Sequence, residues 1–159
     1  MKSLDTLVKV YIEIEKYSNI KYEYDKEKQE LVLDRILPYP YSYPYSYGFI
    51  THTLAMDGDE LDALIITERK IENDAFYDVY IIGVLIMEDE KGIDEKILCV
   101  FEEDYLRIND IDDLDKNVLG DIEWFFRYYK SKCDDKWSKI IGYEDKKYAI
   151  ELYNKLTVL

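Results

Sequence analysis

Histidine is almost missing from this 159-residue chain; His52 is the only one. Two distant cysteines, Cys99 and Cys133, add no second soft-ligand set, which disfavours zinc. His52 has no suitably spaced serine or cysteine partner, so a catalytic triad is not expected and it reads as a surface or packing residue. Cys99 sits in an apolar run and reads as a packed thiol, whereas Cys133 sits in a polar stretch near the surface. Two such residues form no disulfide framework, and a reducing cytosol is the simpler setting. The chain has no glycine-rich P-loop. It has no apolar run of membrane-spanning length, and Met1-Lys2-Ser3-Leu4-Asp5 lacks a leader's apolar core, so a soluble cytoplasmic protein is expected. Basic residues are also scarce, with 21 Lys and Arg against 35 Asp and Glu, a net charge of −14. That excess repels a nucleic-acid backbone. An anionic ligand could bind only where metal ions or clustered Lys and Arg reverse the sign.

What is present describes a folded globule. Hydrophobic residues make up 48%, and one domain spanning residues 1–159 is expected. Val8, Val10, Ile12 and Ile14 alternate with Lys9, Tyr11 and Glu13, the period of a strand. Tyr22 to Tyr24 and Leu31 to Leu33 flank a polar segment and predict a hairpin. All three prolines fall in the tyrosine-rich run from Pro38 to Gly48, which predicts an irregular crossing. Strands are predicted at Phe49 to Leu54, Leu61 to Thr67, Val79 to Met87 and Ile97 to Phe101, with a turn at Asp89 to Gly92. After Asp110 the period becomes helical, at Val118, Ile122, Phe125, Phe126 and Tyr129, and again at Ala149, Leu152 and Leu156. Strands first and helices last predict an α+β fold, a barrel or sheet with helices packed on it.

The chemistry concentrates at Asp57-Gly58-Asp59-Glu60-Leu61-Asp62. Carboxylates crowded this closely are unfavourable unless cations share them, and such oxygen ligands suit Mg²⁺ or Ca²⁺. An EF-hand is excluded, because Leu61 and Asp62 occupy the positions that need a ligand and a glycine. A second acidic group, Asp89 and Asp94, brackets Gly92. If one barrel brings the two groups together, they can hold two or more divalent ions and activate water. Lys21, Arg35, Lys96 and Lys130 are candidates to grip phosphate oxygens, and Tyr43, Tyr47 and Tyr129 to donate hydroxyl hydrogen bonds.

Taken together, these residues resemble family I soluble inorganic pyrophosphatases of the bacterial, magnesium-dependent type. The resemblance runs from Val8 to the last helix. Beside Asp57 to Asp62 it rests on Ile12-Glu13-Ile14, Lys21-Tyr22-Glu23, Asp34-Arg35 and Tyr43-Pro44-x-x-Tyr47-Gly48. It continues through Gly83-Val84-Leu85, Asp89, Asp94-x-Lys96, Tyr129-Lys130 and Lys136-Trp137. It implies a five-stranded OB-like β-barrel with helices packed against it, and hydrolysis of pyrophosphate to two orthophosphates. It further implies that Asp57, Asp62, Asp89, Asp94 and Glu13 bind several Mg²⁺ ions, with Mn²⁺ a possible substitute. By the same resemblance Asp59 is the catalytic residue, as general base or as hydrogen-bond partner of the bridging water. Lys21, Arg35, Lys96, Tyr129 and Lys130 would hold the phosphates, with Glu23, Tyr43, Tyr47 and Lys136 in support. A homohexamer is implied as well; from the charge and the lack of a long apolar run, neither nucleic acid nor membrane is expected as a partner. The chain departs from the family pattern at Glu15, Ser46 and the Lys132-Cys133 segment. A non-catalytic barrel that binds divalent ions or an acidic partner is the competing reading.

Overall fold

The computed structural model describes residues 5–158; Met1 to Leu4 of the N-terminal segment read above lie outside the described residues. Eight strands and three α-helices follow in chain order. The first three strands are β1 (Leu7–Ile14), β2 (Ile20–Asp25) and β3 (Glu30–Ile36). Then come β4 (Ser46–Ile50), β5 (Leu61–Ile65), β6 (Ala75–Asp89) and β7 (Gly92–Val100). A short helix α1 (Glu102–Tyr105), a 3-10 turn (Ile111–Asp113) and α2 (Lys116–Tyr128) lead to β8 (Ser138–Glu144) and α3 (Lys146–Leu156).

Five strands close into a ring. β1 pairs with β4, β4 with β5, β5 with β7, β7 with β6, and β6 returns to β1. Every pairing is antiparallel except β5 with β7. The ring with its helices is the OB-like α+β barrel expected above. β8 extends the sheet beyond β6, and β2 and β3 form a separate hairpin.

The strand pattern follows from burial on both faces. β6 carries the longest β-branched run, and Val79, Ile81, Ile82, Val84 and Leu85 are all fully buried. Alternate residues serve two cores. Val10, Ile50, Ala63, Ile81 and Ile97 belong to a cluster drawn from all five ring strands, closed by Ala149 and Ile150 of α3. Leu64, Leu85 and Leu98 face the other way and pack under Ile122, Phe125 and Phe126 of α2. Asp62 and Lys96 share the face of Leu64 and Leu98, so the strand period delivers them to the side that α2 covers.

Two glycines are dictated by geometry. A Cβ on Gly48 would lie 1.8 Å from the Tyr11 carbonyl oxygen, so only glycine lets β4 approach β1 there. Gly58 adopts φ +89° in the acidic turn, a conformation other residues rarely take.

The structure departs from the sequence reading at strand ends. β4 begins at Ser46 and stops at Ile50, because the chain turns at Thr51 and His52, where His52 has φ 60°. β8 lies between the last two helices, so strands do not all precede helices. Its Ile141 is half exposed and Gly142 interrupts the run, which hides the alternation.

Candidate active site

On the side covered by α2 the molecule opens into a polar cavity of about 340 Å³. The acidic turn lies on its rim. Asp57 Oδ1 accepts the Asp59 amide at 3.0 Å, and the Ala55 amide donates to the Asp59 carbonyl at 2.7 Å. These bonds leave the carboxylates of Asp57 and Asp59 exposed at the cavity. Asp62 follows as the second residue of β5, and Asp94 comes from β7.

Lys96 sits between these last two. Its Nζ donates at 2.9 Å to Asp62, at 2.9 Å to Asp94 and at 2.8 Å to the Tyr47 hydroxyl. An ammonium has three donors, and all three are used. The Lys96 side chain is only 2% exposed, so it depends on these partners for its charge. Burial alone would lower its pKa; Asp62 and Asp94 raise it well above the ordinary range. Tyr47 is held as a neutral phenol by burial, which lifts its pKa well above 10. The ring of Tyr43 packs against Tyr47 and Phe125, fixing this wall to α2.

A second ion pair stands on the far wall. Lys130, two residues past the end of α2, donates to Asp89 Oδ2 at 3.1 Å and lies 3.5 Å from Glu90. Burial pushes the Asp89 carboxyl up, but the Lys91 amide and the Lys130 ammonium outweigh it and hold the pKa below the usual range. The hairpin supplies the third pair, Lys21 Nζ to Asp34 at 2.6 Å, with Arg35 beside it donating to the Cys133 sulfur at 2.9 Å.

Glu13 behaves differently. It accepts the Tyr24 amide at 2.9 Å, which ties the hairpin to β1 next to the irregularity between Ile12 and Ile14. Burial first, and the nearby Asp62 carboxylate second, push its pKa up to about 7. Asp62 is raised to about 6, chiefly by burial and then by Asp94, against the pull of Lys96. Two carboxylates held back from ionisation by burial first and by a neighbouring carboxylate second would gain from a cation between them. That is a donor set a hard divalent cation fits, since carboxylate oxygens dominate it. Among the described residues no three carboxylate, histidine or cysteine side chains converge as a ready-made cage. Lys96 fills the space between Asp62 and Asp94 in their place.

Every residue proposed from the sequence as metal-binding, catalytic, phosphate-binding or supporting lines this one cavity, Glu23, Tyr129 and Lys136 included. The cavity also holds Glu60, Glu90, Lys91 and Lys26, which the sequence reading assigned no role, and Asp34, which it quoted only as part of a motif. Lys26 pairs with Glu60 at 3.2 Å, and Glu90 accepts the Trp137 amide at 3.1 Å. Adjacency to Asp59, Asp89 and Arg35 is the sequence signal for Glu60, Glu90, Lys91 and Asp34; Lys26, in the hairpin turn, carries no such signal.

The model of the inorganic pyrophosphatase family matches residues 10–158 of the chain. The chain belongs to the inorganic pyrophosphatase family. It is 43% identical over 150 residues to an inorganic pyrophosphatase of Helicobacter pylori, covering 92% of this chain and 87% of that one. Against the inorganic pyrophosphatase of Thermus thermophilus it is 41% identical over 149 residues, covering 91% and 85%. Solved structures agree. That of the H. pylori inorganic pyrophosphatase superposes with a TM-score of 0.92 at 40% identity, covering 98% of this chain and 94% of that one. That of the T. thermophilus enzyme gives 0.91 at 40% identity, covering 94% and 88%. The pyrophosphatase fold is thus matched over nearly the whole chain, ring and helices together.

Proposed function

We propose that the protein is a metal-dependent hydrolase that converts inorganic pyrophosphate to two orthophosphates, with Mg²⁺ as its cofactor. One observation carries the reading: the cavity interleaves carboxylates with Lys21, Arg35, Lys96 and Lys130 inside a chain of net charge −14. A highly charged anion would be repelled by the molecule as a whole; here Lys and Arg gather beside carboxylates that bound divalent ions would neutralise, and the two together would reverse the sign locally.

Asp57, Asp62, Asp89, Asp94 and Glu13 would hold several Mg²⁺ ions, and Mn²⁺ would serve as a substitute. Bound divalent ions supply charge neutralisation and lower the pKa of a water. The residues of the chain do the rest. Lys21, Arg35, Lys130 and the Tyr129 hydroxyl orient the two phosphoryl groups and offset charge on the departing one, and Lys96 would join them where metal relieves it of Asp62 and Asp94. Asp59, on the rim and free of any cationic partner among the described residues, accepts the proton of the attacking water. The water oxygen joins one phosphorus, the bridging P–O bond breaks, and the bridging oxygen leaves on the second orthophosphate. Glu23, Tyr43, Tyr47 and Lys136 keep these groups in position.

The test is orthophosphate release from pyrophosphate, with Mg²⁺ and then with excess chelator. Fast release that stops on chelation is expected. No release from folded protein with Mg²⁺ or Mn²⁺ would move the reading to a non-catalytic ion-binding barrel. We further propose that the chain is one domain acting in the cytoplasm as a homohexamer. No described helix is long and apolar enough to cross a membrane, which is compatible with that setting. Light scattering should report about six times 19.1 kDa, and a single-chain mass would reject the hexamer.

A further inference from the structure

We propose that Cys133 is a positioning residue for Arg35, holding the guanidinium at the cavity without neutralising it. This rests on the reading of Arg35 as a phosphate-binding group. Lys21, Lys96 and Lys130 each face the cavity already paired with a carboxylate. Arg35 makes no ion pair among the described residues. Its side chain donates to the sulfur of Cys133, and its Nε is buried with no hydrogen-bond partner. A thiol sulfur is a weak acceptor, so it fixes direction while leaving the cation without a carboxylate partner. The guanidinium is therefore under-satisfied until an anion arrives, and planar bidentate donors suit phosphate oxygens.

The loop that carries Cys133 is built for this. The Cys133 amide donates to the Lys130 carbonyl at 2.9 Å, so the thiol and the ammonium of Lys130 share one turn. The same loop is stitched to the proline-rich crossing by Tyr41 Oη to Ser131 Oγ at 3.2 Å and by Lys132 Nζ to the Tyr39 carbonyl at 3.2 Å. Arg35 arrives from β3, ninety-eight residues away in sequence. The contact fastens the hairpin to the loop that follows α2.

The test is steady-state hydrolysis of pyrophosphate by Cys133→Ala, Cys133→Glu and Cys133→Ser, with melting temperatures as a folding control. Losing one such hydrogen bond should raise KM for Cys133→Ala about three- to tenfold with kcat within about twofold. Cys133→Glu should raise KM further, about tenfold or more, because its carboxylate offsets the guanidinium. Cys133→Ser keeps an acceptor and should recover KM to within about twofold of the parent chain. In an Arg35→Ala background Cys133→Ala should add nothing. Unchanged KM in the Ala and Glu variants, or an equal effect in the Arg35→Ala background, overturns the proposal and leaves the hydrolase reading standing. If the parent chain releases no orthophosphate, the hydrolase reading fails. Calorimetric titration of the same variants with inorganic phosphate then reads the grip of Arg35 directly, the same order of affinities being expected. No difference among them overturns the proposal on its own.

Discussion

At the scale of the residue, the cavity contrasts two kinds of charged group. Asp59 is exposed and tied only through its backbone. Asp59→Asn should therefore leave the melting temperature unchanged while lowering kcat about a hundredfold or more, the usual weight of a proton acceptor. An unchanged rate would remove Asp59 from the mechanism. Lys96 is the opposite case, buried and fully bonded. Lys96→Met leaves Asp62 and Asp94 facing each other without a cation, and should cost about 3 kcal/mol in metal-free urea unfolding. Mg²⁺ should restore much of that loss, because a divalent ion can take the place the ammonium left; no recovery would argue against metal at this pair. The sequence made both residues legible as chemistry. It did not reveal that Lys96 joins the two carboxylates, since β5 and β7 pair in parallel across thirty-four residues.

At the scale of the element, the hairpin of β2 and β3 is readable from the polar segment that its strands flank, and the helices α2 and α3 from the helical spacing of their apolar residues. α3 even carries its own start signal, since Asp145 accepts the Tyr148 amide at 3.0 Å. β8 was not readable, because only its pairing with β6 makes a strand of Ser138–Glu144. The extent of β4 was likewise set by partners. Ser46, Tyr47 and Gly48 look like loop after three prolines, yet they pair with Ile65, Leu64 and Ala63 of β5. Gly48 is where the element is most exacting. Gly48→Ala drives a methyl into the backbone of Tyr11, which cannot yield as a side chain would, and should lower stability by about 3 kcal/mol or more. Because Tyr47 and Glu13 flank this contact, activity should fall beyond what unfolding explains. A urea midpoint equal to that of the parent chain would contradict the packing described.

At the scale of the whole molecule, buried carboxylates give a pH profile. Glu13 titrates near 7 in the folded chain against an ordinary 4.5, and Asp62 near 6 against 3.8. The folded state keeps protons that the unfolded chain has released. Metal-free stability should therefore fall as pH rises from about 4.5 to about 7, and level off above. Asp34, Asp89 and Glu90 have lowered pKa values, and their contribution is lost only in stronger acid. Thermal melts with chelator between pH 5 and 8 should show the decline. Mg²⁺ should reverse it, and Glu13→Gln should flatten it; a melting temperature that rises with pH would contradict the assignment. The closed ring also has a history in time. Its five strands are complete by Val100, whereas α2 begins at Lys116 and Lys130 comes later still. A ribosome adds about 5–20 residues per second, so the emerging chain has all its ring strands seconds before their cover. In that interval the face of Leu64 and Leu98 has no helix over it, and Asp89 has no Lys130 beside it. The nascent molecule is thus stickier and more acidic at its future active site than the finished one, and the last segments synthesised bring it both cover and counter-charge.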